Sequence, residues 1–377
     1  MPKIVIIQKY IPKYRYEFFN GLREKLNNKG IDLTIFYGQP GRNEMFKNDY
    51  LDLDWAIKIP NKILGVGQYE LYWQPVLSRL KDADLVIVEQ AGKLLINYVL
   101  VLQNILGIRK VAFWGHGKNF QETSANLLTE WAKQRISTHA HWWFAYNEIS
   151  VRVVRELGFP ADRITSVQNA IDTRFLTNTL ENLTQEQIFK TYTALNLNSQ
   201  NVGIYSGGMY PRKRLSFLLD ALHHIRAQIP DFEMIFIGSG NDAGTIEQAA
   251  AKYSWIHYVG PKFGQEKVPY FALAKVLLMP ALVGLAVLDS FALETPLITT
   301  NSAGHGPEIA YLENGINGMI TEDAHSAQLY ANRVVQIFQN ASIYDQLITN
   351  CRIARKKYTI ENMIENFANG IELALKQ

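Results

Sequence analysis

"VGIYSGGMYPRKRLSFLLDALHHIRAQIPDFEMIFIGSG", residues 202–240, is the stretch that decides the fold. A short apolar run ends in Gly207 and Gly208, an amphipathic stretch follows, and a second apolar run ends in Gly238 and Gly240. Strand, helix, strand, with both strands apolar throughout, is the pattern of a parallel pair covered on both faces; a strand with one wet face would alternate. The same pattern extends outward. "KIVIIQ", "IDLTIFYG", "DLVIVEQ", "KVAFWGHG" and "HWWFAYN" read as strands in the first half, and "IHYVG", "VLLMP" and "PLITT" continue the series in the second. The chain is therefore expected to be α/β, with two Rossmann-like, doubly wound parallel-sheet domains facing across a cleft. The polar, turn-rich "FLTNTLENLTQEQ", residues 175–187, marks the join. It sets an N-terminal domain over 1–180 and a C-terminal domain over 181–360. In the tail, Met363, Ile364, Phe367, Ile371 and Leu375 share one helical face, so helix 361–377 is expected to pack back on the N-terminal domain.

With 377 residues the chain can bury two ordinary cores, and 47% hydrophobic against 19% charged residues is a globular composition, not a disordered one. A net charge of +3 excludes an argument for nucleic acid but tolerates an anionic ligand. One cysteine, Cys351, cannot form an internal disulfide and fits a reducing compartment. "MPKIVIIQKY" is too short an apolar stretch for a signal peptide. "LLINYVLVLQNILGI", from Leu94, is interrupted by Asn97, Gln103 and Asn104; it falls short of the ~20 apolar residues of a spanning helix and reads as a core helix. A cytoplasmic location is expected.

Chemistry concentrates at the strand ends. Gly207 and Gly208 let an anion approach the backbone, and Arg212, Lys213 and Arg214 crowd a helix start, where cations oppose the helix dipole unless a negative ligand joins them. A solvated basic turn is the alternative. "IFIGSGND" lacks a third glycine and a following acid, which excludes a dinucleotide fingerprint and argues against a dehydrogenase. In "ALVGLAVLDSFALETPLITT", residues 281–300, Asp289 interrupts an apolar run; a buried carboxylate costs several kcal/mol unless something pairs with it. It is either a helix cap or a ligand contact. No acidic pair stands at a strand end, so neither metal nor cofactor is expected. In the first half, "FWGHGKNFQ" holds His116 between two glycines. "QKYIPKYRYEFF" gathers Lys9, Lys13 and Arg15 among Tyr10, Tyr14 and Tyr16; Lys118 and Asn119 lie nearby, and "NLLTEWAKQRISTHAHWW" adds Trp131, Lys133 and Arg135. Such basic, aromatic segments suit an anionic lipid surface or a diphosphate-linked acceptor, or else are ordinary solvated helix faces.

In order and spacing, the landmarks of residues 200–320, with "YVGPKFGQEKVPYFALAKVLLMPA" and "TTNSAGHGPEIAYLENGINGMI" among them, resemble the retaining GT-B-fold glycosyltransferases of family 4. Upstream, Asn169 and Asp172 match that family's "NGxD" turn. The resemblance implies GT-B architecture and a nucleotide-sugar donor, a UDP-sugar being favoured over a GDP-sugar. Donor contacts are implied for Gly207, Gly208, Arg212, Lys213, Arg214, Gly238, Gly240, Gly284, Leu285 and Asp289. Asp289 stands at the second acid of the family's E-x7-E motif, which accepts hydrogen bonds from the ribose hydroxyls. Lys213 would stabilise the leaving diphosphate with help from amides near Gly207 and Gly208, and His116 would orient the transferred sugar, making these two the catalytic candidates. Ala281 replaces the first acid of that motif, and Gly208 stands where the family's strand-end "GR" pair has its arginine, so Arg212 or Arg214 would have to supply that charge. The acceptor would be a hydroxyl of a glycan or lipid-linked molecule in cell-surface polysaccharide or glycoconjugate synthesis. Lys9, Lys13, Arg15 and Lys118 are its candidate contacts, or contacts to the anionic inner face of a membrane. Two other readings fit the same residues: a sugar-nucleotide 2-epimerase, and a non-catalytic nucleotide-sugar-binding paralogue.

Overall fold

The computed structural model describes the chain except for residues 42–44, 46–48, 67–68, 118–137 and 303. It divides into two compact units, Met1–Asp172 with Ile360–Gln377, and Thr173–Thr359.

The first unit contains strands β1 (Lys3–Gln8), β2 (Asp32–Tyr37), β3 (Ile57–Lys58), β4 (Lys62–Val66), β5 (Tyr69–Trp73), β6 (Leu85–Glu89), β7 (Lys110–Gly115), β8 (Trp142–Ala145) and β9 (Ile164–Ser166). Seven form a parallel sheet in the order β3-β2-β1-β6-β7-β8-β9, while β4 and β5 make a separate antiparallel hairpin that the sequence pattern did not foretell. Ile6 of β1 lies beside Ile35 on one side and Ile87 on the other, and all three are fully buried. That two-sided burial is why the strands are apolar throughout.

The helix Tyr16–Asn28 packs against the C-terminal helix, Ile360–Lys376. Phe367 of the C-terminal helix stacks on Phe144, centroids 4.4 Å apart, and lies 5.0 Å from the Trp114 ring. Close packing also fixes a glycine: a Cβ on Gly370 would fall 2.6 Å from Thr165 Oγ1. The helix Leu95–Ile105 is only half a core helix. Ile96, Leu100 and Val101 are buried, but Tyr98, Leu102 and Ile105 are exposed on its other face. Among the described residues no helix is long and apolar enough to cross a membrane.

The second unit holds β10 (Val202–Ser206), β11 (Glu233–Ile237), β12 (Ile256–Tyr258), β13 (Val276–Leu278), β14 (Leu297–Thr300) and β15 (Gly318–Thr321). They form one parallel sheet in the order β12-β11-β10-β13-β14-β15. Chain order thus reverses between β10 and β13, as in the doubly wound 3-2-1-4-5-6 arrangement. The first unit's chain segment ends at Asp172 rather than at 180, because the helix Arg174–Glu181 packs on the helices Val268–Leu273 and Ala286–Ala292 of the second unit.

Candidate functional site

In an open parallel sheet a ligand crevice forms beyond the strand carboxyl ends where strand order reverses. In the second unit those ends are the segments after β10 and β13. After β10 the chain makes a 3-10 turn, Pro211–Lys213, and Arg214 takes a left-handed conformation, φ 57°, before the helix Leu215–Gln228. A bulky residue adopts that conformation only at a cost. Its effect is to turn the three cations in different directions. Arg212 is exposed, Arg214 lies 4.3 Å from the Phe217 ring, and Lys213 is buried. The Lys213 ammonium donates to the Leu282 carbonyl in the loop after β13, and burial pulls its pKa down to about 8. Lys213 is therefore the cation brought to the switch point.

The glycines have a role within the backbone itself. The Gly207 amide already donates to the Ile237 carbonyl, 3.0 Å, so it is not available to an anion; the Gly208 amide has no acceptor among the described residues. A Cβ on Gly238 would fall 1.9 Å from Gly207 O, and one on Gly240 would fall 2.2 Å from Met209 O. Those glycines are required because the loops after β10 and β11 lie backbone against backbone, joined by the bond from Met209 N to Ser239 O at 2.8 Å. No ligand is needed to explain them.

After β13, Ala281 buries its methyl group, Leu282 is left-handed at φ 49°, and Gly284 follows at φ 53°. Leu285 is the N-cap of the helix Ala286–Ala292 and makes no side-chain capping bond. Asp289, within that helix, is not a cap. Its Oδ2 accepts from Lys267 Nζ at 2.6 Å, with the two side chains 18% and 13% exposed. Lys267 ends the 3-10 turn Gly264–Lys267 that follows β12. Sequence spacing held no sign of this partner. His305, after β14, was missed as well. It is buried, accepts from Val283 N at Nδ1 (3.3 Å) and donates from Nε2 to the Thr300 carbonyl (2.8 Å).

The first unit gathers its polar groups around His116. Gln90 grips the loop that carries it: Gly117 N donates to Gln90 Oε1 at 2.9 Å, and Gln90 Nε2 donates to Gly117 O at 3.2 Å. Gly117 is left-handed, φ 78°, and a Cβ there would fall 2.7 Å from Val154 Cγ2. The glycine therefore serves this tight turn. The imidazole lies against Tyr146, ring centroids 4.1 Å apart; burial pushes its pKa down to about 4, with the charge of Arg15 adding to the effect. At neutral pH it is uncharged and able to accept a hydrogen bond.

Arg15 and Lys9 are not a lipid-facing surface. Arg15 is 3% exposed, donates to Asn169 Oδ1 (2.6 Å) and the Met363 sulfur (3.4 Å), and lies 4.7 Å from the Trp114 ring. Lys9 is also buried, with Tyr10 and Tyr72 each 5.1 Å from its ammonium. Aromatic faces offset the desolvation of both cations. Lys13, Tyr14 and Tyr16 are exposed. Lys118, Asn119, Trp131, Lys133 and Arg135 lie outside the described residues. Among the described residues, no group of three or more His, Cys, Asp or Glu side chains is placed to hold a metal ion.

Residues 200–340 match the family model described as Glycosyl transferases group 1. Among solved structures, the chain is similar to HepE from Anabaena in complex with UDP, at 14% identity over 99% of this chain and 100% of that one, TM-score 0.71. WaaG, a glycosyltransferase involved in lipopolysaccharide biosynthesis, is similar at 12% identity over 98% of this chain and 99% of that one, TM-score 0.64. The UDP-GlcNAc 2-epimerase from Neisseria meningitidis bound to UDP-GlcNAc is similar at 16% identity over 100% of both, TM-score 0.61. No curated protein matches the chain. At these identities the likeness shows the fold, the α/β architecture of the GT-B glycosyltransferases.

Proposed function

We propose that the chain is a retaining glycosyltransferase of family 4, moving a sugar from a UDP-sugar to a hydroxyl of a glycan or lipid-linked acceptor. One observation carries the reading: a buried lysine, Lys213, sits at the reversal point of a doubly wound sheet in the segment that matches the glycosyltransferase model. Ligands bind at such points, and a buried ammonium suits a diphosphate. Leu282 takes one of the three ammonium protons and leaves two for phosphate oxygens. In the reaction, the bond from the anomeric carbon to the phosphate oxygen breaks and the bond to the acceptor oxygen forms on the same face. The acceptor proton passes to the leaving phosphate, whose growing charge Lys213 stabilises. Asp289 receives ribose hydroxyls, and neutral His116 accepts from a hydroxyl of the transferred sugar. With Ala281 in place of an acid, the donor sugar loses one charged contact.

A thermal-shift series with UDP, GDP and UDP-sugars tests the reading. A ligand present at 100 times its dissociation constant adds about 2.7 kcal/mol of stability. Stabilisation by UDP and UDP-sugars, followed by acceptor-dependent release of UDP, is expected. No stabilisation by any nucleoside diphosphate would end the proposal. Release of a free 2-epimer without acceptor would move the chain to the epimerase reading.

A further inference from the structure

We propose that His305 is a positioning residue for the donor diphosphate, holding the loop on which Lys213 rests. The inference builds on the donor reading above and adds a residue to it.

The geometry is a continuous chain of hydrogen bonds across three strand ends. Lys213, beyond β10, donates to the carbonyl of Leu282. The next residue, Val283, donates its amide to His305 Nδ1 at 3.3 Å, and His305 Nε2 donates to the Thr300 carbonyl at the end of β14, 2.8 Å away. Thr300 ties back to the same loop, its hydroxyl donating to the Pro280 carbonyl at 2.7 Å. The imidazole thus joins the loop after β13 to the end of β14, where Thr299 Oγ1 also lies 3.4 Å from Nε2, and its bonds to Val283 and Thr300 fix both ring nitrogens. Nδ1 has to accept and Nε2 has to donate, which is the neutral Nε2–H tautomer.

The chemistry of the surroundings agrees. Burial is the main cause that lowers the His305 pKa, the charge of Lys213 lowers it further, and the Thr300 carbonyl opposes both. A neutral ring beside a buried ammonium avoids repulsion between like charges. The loop it holds is not relaxed. Leu282, a residue with a Cβ, is left-handed at φ 49°. Such a conformation persists only where surrounding bonds over-determine it. The His305 bond to Val283 N and the Thr300 bond to the Pro280 carbonyl hold the backbone on either side of Leu282, and so bear on the direction of its carbonyl and the place of the Lys213 ammonium. Without His305 the loop is free to leave the left-handed state, and Lys213 loses the partner that orients it. A lysine tethered in one position binds a diphosphate better than one that has to be ordered on binding.

The experiment compares UDP and uridine binding by calorimetry in the wild type, in His305→Phe, which keeps the ring and removes both nitrogens, and in His305→Asn, whose carbonyl replaces the Nδ1 acceptor. UDP affinity is expected to fall about tenfold in His305→Phe, with uridine affinity unchanged, and to recover at least partly in His305→Asn. Equal losses for UDP and uridine, or wild-type UDP affinity in His305→Phe, would overturn the assignment while leaving the donor reading standing. A wild type that binds no nucleoside diphosphate would remove both. Should His305→Phe fail to fold, nitrogen-15 spectra of labelled histidine in the wild type decide instead. They should show the Nε2–H tautomer and an Nδ1 resonance that moves when UDP is added; a resonance indifferent to UDP overturns the proposal.

Discussion

Lys267 places its ammonium 2.6 Å from Oδ2 of Asp289, joining the turn after β12 to the helix after β13. Both residues stand near helix starts at the carboxyl edge of a parallel sheet, where ligands of this architecture sit. The pair solves a problem visible in the sequence: a carboxylate within an apolar run has its countercharge, brought by the fold from 22 residues upstream. It also leaves the second carboxylate oxygen to other donors. A ribose that reaches Asp289 meets a carboxylate already oriented by Lys267.

For Asp289→Asn we expect a loss in UDP affinity of roughly 1.5–3 kcal/mol, ten- to a hundredfold, since a charged acceptor is replaced by a neutral one. Affinity for 2′-deoxy-UDP should be low in the wild type and fall little further. Asp289→Asn also leaves Lys267 without its countercharge, so a fall in melting temperature is expected whichever role is correct. The preference for ribose separates them. If the two perturbations add within about 0.3 kcal/mol, the ribose contact is refuted and the ion pair alone explains the residue.

The contrast between Asp289 and the strands shows what the sequence could convey. The strands were legible because a strand buried on both faces has to be apolar at every position, as in Val202–Ser206 and Glu233–Ile237 with its one acid at the edge. Asp289 was legible as an anomaly for the same reason, but its partner was not, since ion pairs across a fold obey no sequence period. Gly238 and Gly240 were visible as special positions, but their contact with Gly207 and Met209 was not, because contact with a ligand and contact with another backbone demand the same missing Cβ. Arg15 and Lys9 misled for a further reason. The rings that cover them, Trp114 and Tyr72, are distant in the chain, so a caged cation and a solvated one read alike.

Gly117→Ala should destabilise the first unit by about 2 kcal/mol. The backbone is left-handed there, and the new methyl group would meet Val154 at 2.7 Å. Because Gln90 bonds both ways to Gly117, the same variant should displace His116 and lower turnover. Thermal melts together with activity of the still-folded fraction check this. An unchanged melting temperature would mean that the turn relaxes without cost.

His116→Ala should lower turnover and spare UDP affinity, since His116 belongs to the other unit from Lys213. The pH dependence has a definite sign. Burial depresses the folded pKa to about 4 from an ordinary 6.5, so between those values the unfolded chain takes up a proton that the folded one does not. Stability contributed by neutral His116 is present above about pH 6.5 and is lost as pH falls toward 4. Wild type should therefore lose more stability than His116→Gln over that window. Parallel stability curves for the two proteins would show that the ring is more solvated than its packing against Tyr146 implies.

Lys213 gives the pH prediction that bears most directly on the reaction. Burial lowers its pKa from 10.5 to about 8 in the unliganded protein, and a bound diphosphate favours the charged form. Binding above pH 8 must then include uptake of a proton, so UDP affinity should fall as pH rises through that value, approaching tenfold per unit. The phosphate cannot produce this slope, because its last proton is lost near pH 6. Uridine, with no phosphate, should show no step below the pH at which the uracil N3 proton is itself lost. Lys213→Ala should weaken UDP binding and flatten its pH profile, and Lys213→Arg should flatten it too, because a guanidinium stays charged throughout. Calorimetry in two buffers of different ionisation enthalpy measures the proton uptake directly. A UDP affinity independent of pH between 7 and 9 in the wild type would mean that Lys213 stays charged throughout; if Lys213→Ala then binds UDP as tightly as the wild type, the ammonium does not reach the phosphates and the leaving-group role passes to another residue.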